Sequence, residues 1–334
     1  MSFWSFNTAA PSYWHTWFSF NGDFLRKIPA LCPLDMPKYS RYRRLLVSDR
    51  ENLGSFLREH YGDPTWYLDT GSWLDVYLED PNTIVLGLFD TSEMLCACIF
   101  SSPLPKDSQI GLQRLSNIRV IEGLCVHKAF RKSGLANYLL SAIDYETSRQ
   151  GPTVHLYSRE LPNVPLLSTH LNAKLYAYIE CTFARPTLQV SKMEWDIFQT
   201  LWASNKDWKS SGDLVSPPFS MRGDLSVWQV EQSVIVVANT RRRARRDNAP
   251  IWEIAWCGTI LYGMLYPSRV LPSHLESVAA EHTGLFFCMN EHFAEPVQEG
   301  TWHIGQSGYH AWYIYNYLVP KFGSLELQMV REEI

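Results

Sequence analysis

Short apolar runs bounded by polar residues recur along the chain and predict a sheet of many strands. Two such runs, residues 83–90 and 94–102, are separated by a short polar turn, which predicts a β-hairpin. A third run, RVIEGLCVH at residues 119–127, is interrupted by Gly123. Because a glycine inside a strand often marks a bulge or a close backbone approach, this strand is predicted to be irregular at Gly123.

The apolar spacing changes to a helical period directly after this strand. One face of the predicted helix carries the apolar residues Leu135, Tyr138, Leu139, Ala142 and Ile143. The pair Gly151–Pro152 predicts its end, and the run at residues 153–158 predicts a further strand. The order strand, helix, strand at this length predicts a βαβ unit with two parallel strands.

An earlier helix is predicted over residues 48–61, where Ser48 can cap the N-terminus and Glu51 has the spacing of a capping box. Residues 210–220 are rich in Ser, Pro and Gly and predict a loop. Beyond them, strands are predicted at 233–239, 251–257, 284–290 and 310–319, and a helix at 273–282. The chain therefore repeats one mixed α/β plan twice, without a repeat in its sequence.

Composition places the chain among folded proteins, since 46% of its 334 residues are hydrophobic and 19% are charged. The net charge of −4 argues against general nucleic-acid binding. No apolar run approaches the ~18–20 residues of a membrane span, and the first charged residue is Asp23. Neither stable membrane insertion nor a signal peptide is therefore expected.

Cysteines and histidines form no recognisable metal or disulfide framework. The seven cysteines include no CxxC pair, and their odd number fits reduced thiols in a cytosol-like compartment. The ten histidines are scattered, so no metal site is expected. The basic run RRRARR at residues 241–246 is interpreted as a solvated turn, with a contact to an acidic membrane, the ribosome or nucleic acid as the alternative.

The turn between the irregular strand and the following helix has the features of an anion site. A bulge frees backbone N–H groups, and a helix N-terminus adds further donors and a positive dipole end. Arg131 and Lys132 contribute positive charge at the same place. Such a turn suits the pyrophosphate of a nucleotide-like cofactor.

Motifs in and around this turn resemble two related groups of acyltransferases. The spacing Arg131-x-x-Gly134-x-Ala136 resembles the acyl-CoA-binding turn of the GNAT superfamily. LCVHK at residues 124–128, followed by Arg131, resembles the signature of the N-myristoyltransferase family. Further segments resemble that family in the same order: Phe3–Trp4, Tyr157–Ser158 with Leu161–Pro162, LNAKL at 171–175, PPFS with VW at 217–228, and YIYN with Pro and Gly at 313–323.

The resemblance implies a fold and an activity. The expected fold is mixed α/β (α+β), with two fused GNAT-like halves around a saddle-shaped mixed sheet: residues 1–200 for acyl-CoA and 201–334 for the peptide and the C-terminal carboxylate. The expected reaction transfers a fatty acyl group, myristoyl or shorter, from acyl-CoA to the N-terminal glycine amine of a protein. The implied enzyme is a cytoplasmic monomer that holds no permanent cofactor.

The resemblance also implies roles for particular residues. The backbone amides of Gly123 and Leu124 would form an oxyanion hole, although Gly123 can equally serve only to relieve packing in a twisted strand. The expected acyl-CoA contacts are Phe3, Trp4, Leu124, Cys125, Val126, Arg131, Lys132, Ser133, Gly134, Leu135, Ala136 and Asn137. The expected peptide contacts are Asp63, Tyr67, Tyr157, Trp256, Glu291 and Asn316.

The base that removes the amine proton is expected near the C-terminus. In the family it is the C-terminal carboxylate, which here would belong to Ile334. Aligned on Asn316, Pro320 and Gly323, this chain runs two residues longer than the family, so the side chains of Glu332 and Glu333 are alternatives, as is a solvated tail without a catalytic role. Ser158 stands where the family has a threonine, and its hydroxyl is expected to relay or orient the proton.

The sequence departs from the family at several of these positions. Glu122–Gly123 replaces Asn-Phe, the turn has lost one cation, and the acidic loop after residue 63 is shortened. Phe100 and Tyr138 are larger than their family counterparts; if they point inward, a chain of about ten to twelve carbons is expected to fit better than myristoyl. Cys125 is not expected to act as a nucleophile, and His127 is interpreted as structural.

Two other function classes stay open. The turn at residues 131–136 also fits a GNAT enzyme that acetylates a different amine. The altered C-terminus fits a relative that binds acyl-CoA or peptide without catalysis.

Overall fold

The computed structural model describes residues 23–24, 30–34, 39, 41–62, 65–71, 73–110, 113–161, 170–181, 188–205, 214–219, 224–289, 292–295, 302–318 and 327–328. Seven predicted site residues lie outside these ranges: Phe3, Trp4, Asp63, Glu291, Glu332, Glu333 and Ile334. For Ser158 the description covers the backbone alone.

Helices and strands alternate along the described chain. The helices are α1 (Arg50–His60), α2 (Trp73–Glu79), α3 (Leu135–Ser148), α4 (Trp195–Ser204) and α5 (Pro272–Ala279). The strands are β1 (Asp23–Phe24), β2 (Arg43–Arg44), β3 (Trp66–Leu68), β4 (Ile84–Phe89), β5 (Leu95–Pro103), β6 (Gln109–Ile110), β7 (Gln113–Arg114), β8 (Ile118–Val126), β9 (Val154–Leu161), β10 (His170–Cys181), β11 (Val190–Met193), β12 (Leu214–Val215), β13 (Leu225–Val230), β14 (Ser233–Ala244), β15 (Pro250–Leu261), β16 (Met264–Pro267), β17 (Leu285–Met289), β18 (Trp302–Tyr315), β19 (Tyr317–Leu318) and β20 (Leu327–Gln328).

One large sheet runs through both halves of the chain in the order β11-β13-β14-β15-β17-β10-β18-β9-β8-β5-β4-β2. In each half three antiparallel strands lead, through a helix, to a parallel fourth: β4, β5, β8, α3 and β9, then β13, β14, β15, α5 and β17. The predicted hairpin, the βαβ unit and the doubled α/β plan are thus confirmed. The predicted division at residue 200 falls inside α4 and stays a prediction.

Alternating side chains of β5 divide the first half into two apolar layers. Ala97 and Ile99 pack on the side of α3, whereas Cys98 and Phe100 pack on the side of α1 and α2. All five apolar residues predicted for the face of α3 are buried. Helices therefore cover both faces of the sheet around β5 and β8, and this cover fixes the strand that carries the candidate site.

The beginning of α1 differs from the prediction. A 3₁₀ turn at Val47–Asp49 precedes the helix, and the Asp49 carboxylate accepts a hydrogen bond from the Leu46 amide at 2.9 Å. Ser48 is therefore not the cap. Asp49 occupies the N-cap position of α1, but its carboxylate closes the preceding 3₁₀ turn and makes no capping hydrogen bond to the helix.

The basic run at residues 241–246 is not a simple turn. Strand β14 continues through Ala244, so three of the five arginines lie in the sheet. The register shifts between Asn239 and Arg242, where Arg241 has φ +56°, and its guanidinium pairs with the Asp224 carboxylate at 2.5 Å. The interpretation as a solvated turn was wrong for residues 241–244, because carboxylate and aromatic partners hold these side chains against the protein.

No helix among the described residues is both long enough and apolar enough to cross a bilayer.

Candidate active site

Strand β8 is bulged at Gly123. Cys125 pairs with Cys98, and Glu122 pairs with Phe100, so Gly123 and Leu124 together lie opposite the single residue Ile99. Gly123 has φ +58°, the left-handed backbone that a glycine adopts at little cost. This is a β-bulge with glycine at its first position, and it confirms the predicted irregularity.

The bulge also marks the place where β8 and β9 part. The two strands pair in parallel from Ile118 with Val154 to Ile121 with Tyr157. Beyond that point β8 continues to Val126, still paired with β5, and β9 continues to Leu161, paired with β18. The backbone of residues 122–126 therefore borders an opening between two strands of the sheet.

A tight turn joins β8 to α3 at this opening. The His127 amide donates to the Cys96 carbonyl at 2.9 Å, and a 3₁₀ turn follows at Lys128–Phe130. Lys132 and Gly134 take left-handed backbone conformations, with φ of +68° and +91°, and the helix starts at the next residue. The sequence of bulge, turn and helix N-terminus thus gathers backbone N–H donors at one place.

The Arg131 side chain links this turn to the end of α1 by a hydrogen bond. Its Nη2 donates to the His60 carbonyl at 3.0 Å, and its Nε lies 3.5 Å from the Val126 carbonyl. A cation is favourable there, because the last carbonyls of a helix carry partial negative charge. The predicted contact of this guanidinium with phosphate stays a prediction. What the structure shows is that the guanidinium holds the turn against the end of α1.

The contact between α1 and the turn includes two histidine rings that lie against each other at an interplanar angle of 49°. The ring centroids of His60 and His127 lie 4.0 Å apart, and the Phe130 ring lies 5.1 Å from that of His127. Burial is the main cause that lowers the pKa of His60, and the charge of His127 lowers it further. Both effects favour the neutral ring. His127 thus has the structural contacts expected of it, whereas nothing in the sequence singled out His60.

Phe100 fills the space on the α1 and α2 side of the bulge. Its side chain is fully buried, and it meets the Tyr77 ring edge-on with a centroid distance of 5.4 Å. A Cβ atom on Gly123 would lie 2.8 Å from Cε2 of Phe100. The aromatic ring and the glycine are therefore matched in shape, and Phe100 leaves no room for a larger residue at position 123.

The cysteines beside the bulge are part of the core. Cys125 is buried and lies directly across from Cys98, whose thiol points to the Gly123 carbonyl at a sulfur–oxygen distance of 3.7 Å. Burial is the main cause that raises the pKa of the Cys98 thiol, and the neighbouring Cys125 thiol raises it further. Both side chains belong to the apolar layer under α1, which fits the expectation that Cys125 is not a nucleophile.

Of the predicted peptide contacts, Tyr157 lies at the opening. It is the last β9 residue that pairs with β8, and its other edge pairs with Tyr313 of β18. The Ser158 backbone follows immediately and pairs with Trp312. The structure thus brings Tyr157 and the Ser158 backbone next to the bulged strand.

Trp256 and Asn316 lie elsewhere. Trp256 is buried against the α4 aromatics Phe198 and Trp202, at centroid distances of 5.8 and 5.4 Å. Asn316 is also buried, and its amide donates to the Thr153 carbonyl at 3.0 Å, just before β9 begins. The opening lies at the other end of β9 from Asn316, and four strands of the sheet separate β15, which contains Trp256, from β8. The structure therefore does not bring these two residues to the opening.

Tyr67 is partly exposed in β3 and pairs with Arg243 of β14. It therefore lies where the N-terminal part of the chain meets the C-terminal part. Across the described ranges, no group of three or more His, Cys, Asp and Glu side chains is arranged to hold a metal ion.

Comparison with known proteins shows a relationship in structure that sequence comparison does not detect. No family model and no curated protein matches the sequence. A crystal structure of Saccharomyces cerevisiae N-myristoyltransferase with bound myristoyl-CoA matches with a TM-score of 0.70 and 12% identity, covering 96% of this chain and 93% of that one. A second structure of the yeast enzyme with bound myristoyl-CoA matches with a TM-score of 0.63 and 12% identity, covering 91% and 86%.

These matches extend over nearly the whole chain, as did the ordered resemblance of its motifs. The chain therefore has the fold of N-myristoyltransferase.

Proposed function

We propose that this protein transfers a fatty acyl group from acyl-CoA to the N-terminal glycine amine of a protein. The observation that carries this proposal is the parting of β8 from β9 at the Gly123 bulge, beside a glycine-containing turn and a helix N-terminus. The fold of the yeast enzyme, whose structure contains myristoyl-CoA, supports the same assignment.

The bulge would stabilise the charge that develops during the reaction. When the amine attacks, the thioester carbonyl oxygen gains negative charge, which two aimed N–H donors stabilise most effectively. The amides of Gly123 and Leu124 are assigned this role, because the extra residue of the bulge and the left-handed Gly123 turn the backbone out of the regular ladder. Removing one such donor typically slows an enzyme by about 10²–10³-fold.

Acyl-CoA would lie along the opening. The backbone of Leu124, Cys125 and Val126 would pair with the extended part of the cofactor. Lys132, Ser133, Gly134 and the first amides of α3, at Leu135, Ala136 and Asn137, would bind its phosphates, with Arg131 both holding the turn and adding charge. Phe3 and Trp4 are proposed to close over the bound molecule.

The chemistry needs one bond made and one broken. The glycine nitrogen forms the amide bond to the acyl carbon, the carbon–sulfur bond breaks, and CoA leaves as the thiol after taking up a proton. Because an α-ammonium group has a pKa of about 8, a base must remove a proton before attack. We assign that role to the α-carboxylate of Ile334 or to the side chain of Glu332 or Glu333, with the Ser158 hydroxyl as a relay.

A chain shorter than myristoyl, such as decanoyl, is the second candidate substrate. The buried Phe100 ring lies against Gly123, and the Tyr138 ring is buried against Tyr42 at a centroid distance of 6.0 Å. Each methylene that finds no apolar contact costs about 0.8 kcal/mol, so a few filled positions shift the preferred length decisively.

Release of CoA thiol tests the proposal directly. The purified protein is mixed with acyl-CoAs from acetyl to palmitoyl and a glycine-initiated peptide, with the matching alanine-initiated peptide as control. We expect thiol release that requires the glycine peptide and peaks at decanoyl to myristoyl. Activity on acetyl-CoA alone would identify an acetyltransferase, and binding without thiol release would identify a non-catalytic relative.

The base is tested by removing residues 331–334. We expect acyl-CoA binding to persist and turnover to fall by about 10²-fold or more, the usual contribution of a general base. Unchanged turnover would overturn the assignment of the base to the C-terminus.

A further inference from the structure

A cavity of about 570 Å³, wide open to solvent, lies where β3 meets the end of β14. The first strand belongs to the N-terminal part of the chain and the second to the C-terminal part. Six polar residues line it: Arg58, Tyr67, Asp69, Arg243, Arg245 and Asn248. The lining contains no residue of β8 or of the turn that follows it, so this cavity is separate from the proposed phosphate site.

The lining is strongly basic in a protein whose net charge is −4. It contains three guanidinium groups and one carboxylate, which leaves a net charge of +2. The carboxylate of Asp69 is bound by Arg243, with 2.9 Å between Nε and Oδ2. The one carboxylate of the lining thus balances the charge of Arg243, and Arg58 and Arg245 account for the net positive charge of the lining.

The protein fixes these groups in place. Arg245 donates from Nε to the Trp66 carbonyl at 3.2 Å, and its guanidinium lies 5.6 Å from the centre of the Tyr67 ring. The Tyr67 hydroxyl is hydrogen-bonded to Asn248. Arg243 donates to the Asn248 carbonyl at 3.2 Å. A cavity whose donors are already oriented loses less side-chain entropy when an anion binds.

The other arginines of the same run have different surroundings. Arg241 pairs with Asp224, and Arg246 is mostly exposed and lies 3.1 Å from Asp247. Arg242 stacks over the Trp66 ring at 4.6 Å. Of the five arginines in the run, only Arg243 and Arg245 line the cavity. The basic run is therefore not one solvated patch, and it contributes two particular side chains to a defined cavity.

Helix α1 links this cavity to the proposed active site. Arg58 lines the cavity, and His60, two residues later, accepts the hydrogen bond from Arg131 of the turn. An extended peptide advances about 3.3 Å per residue, and a substrate that runs from the bulge along the end of α1 would bring a side chain further along to the cavity.

We propose that this cavity binds an acidic side chain of the protein substrate, downstream of the acylated glycine. This inference rests on the proposed function and adds to it a preference for negatively charged substrates. A carboxylate fits the guanidinium groups and the neutral donors around them. The other source of an anion is a phosphate of CoA, and the absence of the β8–α3 turn from the lining favours the peptide.

The test measures peptide binding separately from catalysis. Labelled glycine-initiated peptides that carry Asp, Asn or Lys at successive downstream positions are titrated against the protein, and fluorescence anisotropy is followed. At one position we expect the Asp peptide to bind roughly three- to tenfold more tightly than the Asn peptide, and the Lys peptide to bind least well. Equal binding of all three at every position would overturn the proposal.

A charge reversal identifies the residues responsible. Arg58→Glu is the principal variant, because Arg58 is exposed on α1 and its replacement is not expected to unfold the protein. It should invert the preference, so that the Lys peptide binds better than the Asp peptide. Arg246→Glu is the matched control, since Arg246 is next to Arg245 but does not line the cavity, and it should keep the preference of the original protein.

The same variants distinguish failure of this inference from failure of the proposed function. Charge-selective binding that Arg58→Glu inverts, without CoA thiol release, would support the cavity and refute the acyl transfer. Thiol release that does not depend on peptide charge would support the acyl transfer and refute the role of the cavity. A raised KM for acyl-CoA in Arg58→Glu, with unchanged peptide preference, would overturn the proposal and identify a CoA phosphate as the bound anion.

Discussion

At Gly123 a left-handed backbone and a tight aromatic contact coincide. We predict that Gly123→Ala destabilises the protein by roughly 2–4 kcal/mol, because alanine is strained at φ +58° and its Cβ would lie 2.8 Å from Cε2 of Phe100. Urea unfolding followed by tryptophan fluorescence measures the change. The remaining folded protein should also lose turnover, because moving the bulge misaligns its amides.

Gly263→Ala separates the two causes in the stability measurement. Gly263 also has a positive φ, +75°, but an added Cβ would meet no atom within 4 Å. We therefore expect it to cost only about 1 kcal/mol. Equal losses in both variants would show that the Phe100 contact contributes nothing.

His60 should make stability depend on pH. Because burial and the charge of His127 lower its pKa in the folded protein, the unfolded chain takes up the proton first as pH falls. The stabilisation is thus complete above about pH 6.5, the ordinary pKa of histidine, and is lost as pH falls through the lower folded value. Urea midpoints between about pH 5 and 7 should rise with pH.

His60→Gln should flatten this dependence without abolishing it. Burial also lowers the pKa of His282, which acts in the same direction and is left unchanged. An identical slope in the variant would show that His60 is not responsible.

Residue-scale prediction from the sequence succeeded where the backbone itself imposes the choice. Gly123 was identified because a glycine interrupts an apolar strand, and the bulge requires its conformation. The contact of Arg131 with the His60 carbonyl was not predictable, since a backbone acceptor leaves no trace in the sequence. The same holds for Asn316, whose side chain binds the Thr153 carbonyl far from the opening.

Helix α3 positions the turn and is the element on which the candidate site depends most. Leu139 is fully buried in its centre, within the apolar layer under the sheet. We predict that Leu139→Ala costs about 2–5 kcal/mol, through lost burial and the cavity left behind. Leu139→Met, which nearly conserves volume, should cost less than about 1.5 kcal/mol. Denaturant unfolding compares the two, and similar losses would place the side chain outside the core.

Element-scale prediction worked for α3 and failed for the end of β14 for one physical reason. The period of α3 records a single apolar face, and burial of that face decides its structure. In β14, arginines take positions that patterning assigns to solvent, yet Arg242 lies 4.6 and 5.2 Å from the rings of Trp66 and Phe287. Cation–π contacts and bound carboxylates hold charged residues in a strand, and hydropathy alone cannot register them.

At the scale of the whole molecule, the two halves share strands. Strand β18 from the end of the chain lies between β9 and β10, so each of those earlier strands completes its pairing only when the last part of the chain arrives. The doubled α/β plan was predictable, since each half contains its own pattern of strands and helix. The insertion of β18 between β9 and β10, called here the strand exchange, was not predictable, because a pairing partner more than 100 residues away leaves no local signal in the sequence.

This exchange predicts that the halves do not fold alone. A fragment of residues 1–200 lacks β18 and would expose the edges of both β9 and β10, where unpaired backbone groups promote aggregation. We expect the fragments 1–200 and 201–334 to be insoluble or unfolded when expressed singly. Co-expression should recover a soluble complex, because β18 can then enter its place in the sheet.

The intact chain should accordingly unfold in one transition. Calorimetry should give a single peak whose calorimetric and van't Hoff enthalpies agree, as for a single cooperative unit. The proposed active site and the basic cavity would then be stabilised together, since both depend on the sheet that the exchange closes. Two separated peaks, or a cooperative transition in either isolated fragment, would show that the halves are independent domains. Each half would then be stable without the pairing of β18 with β9 and β10.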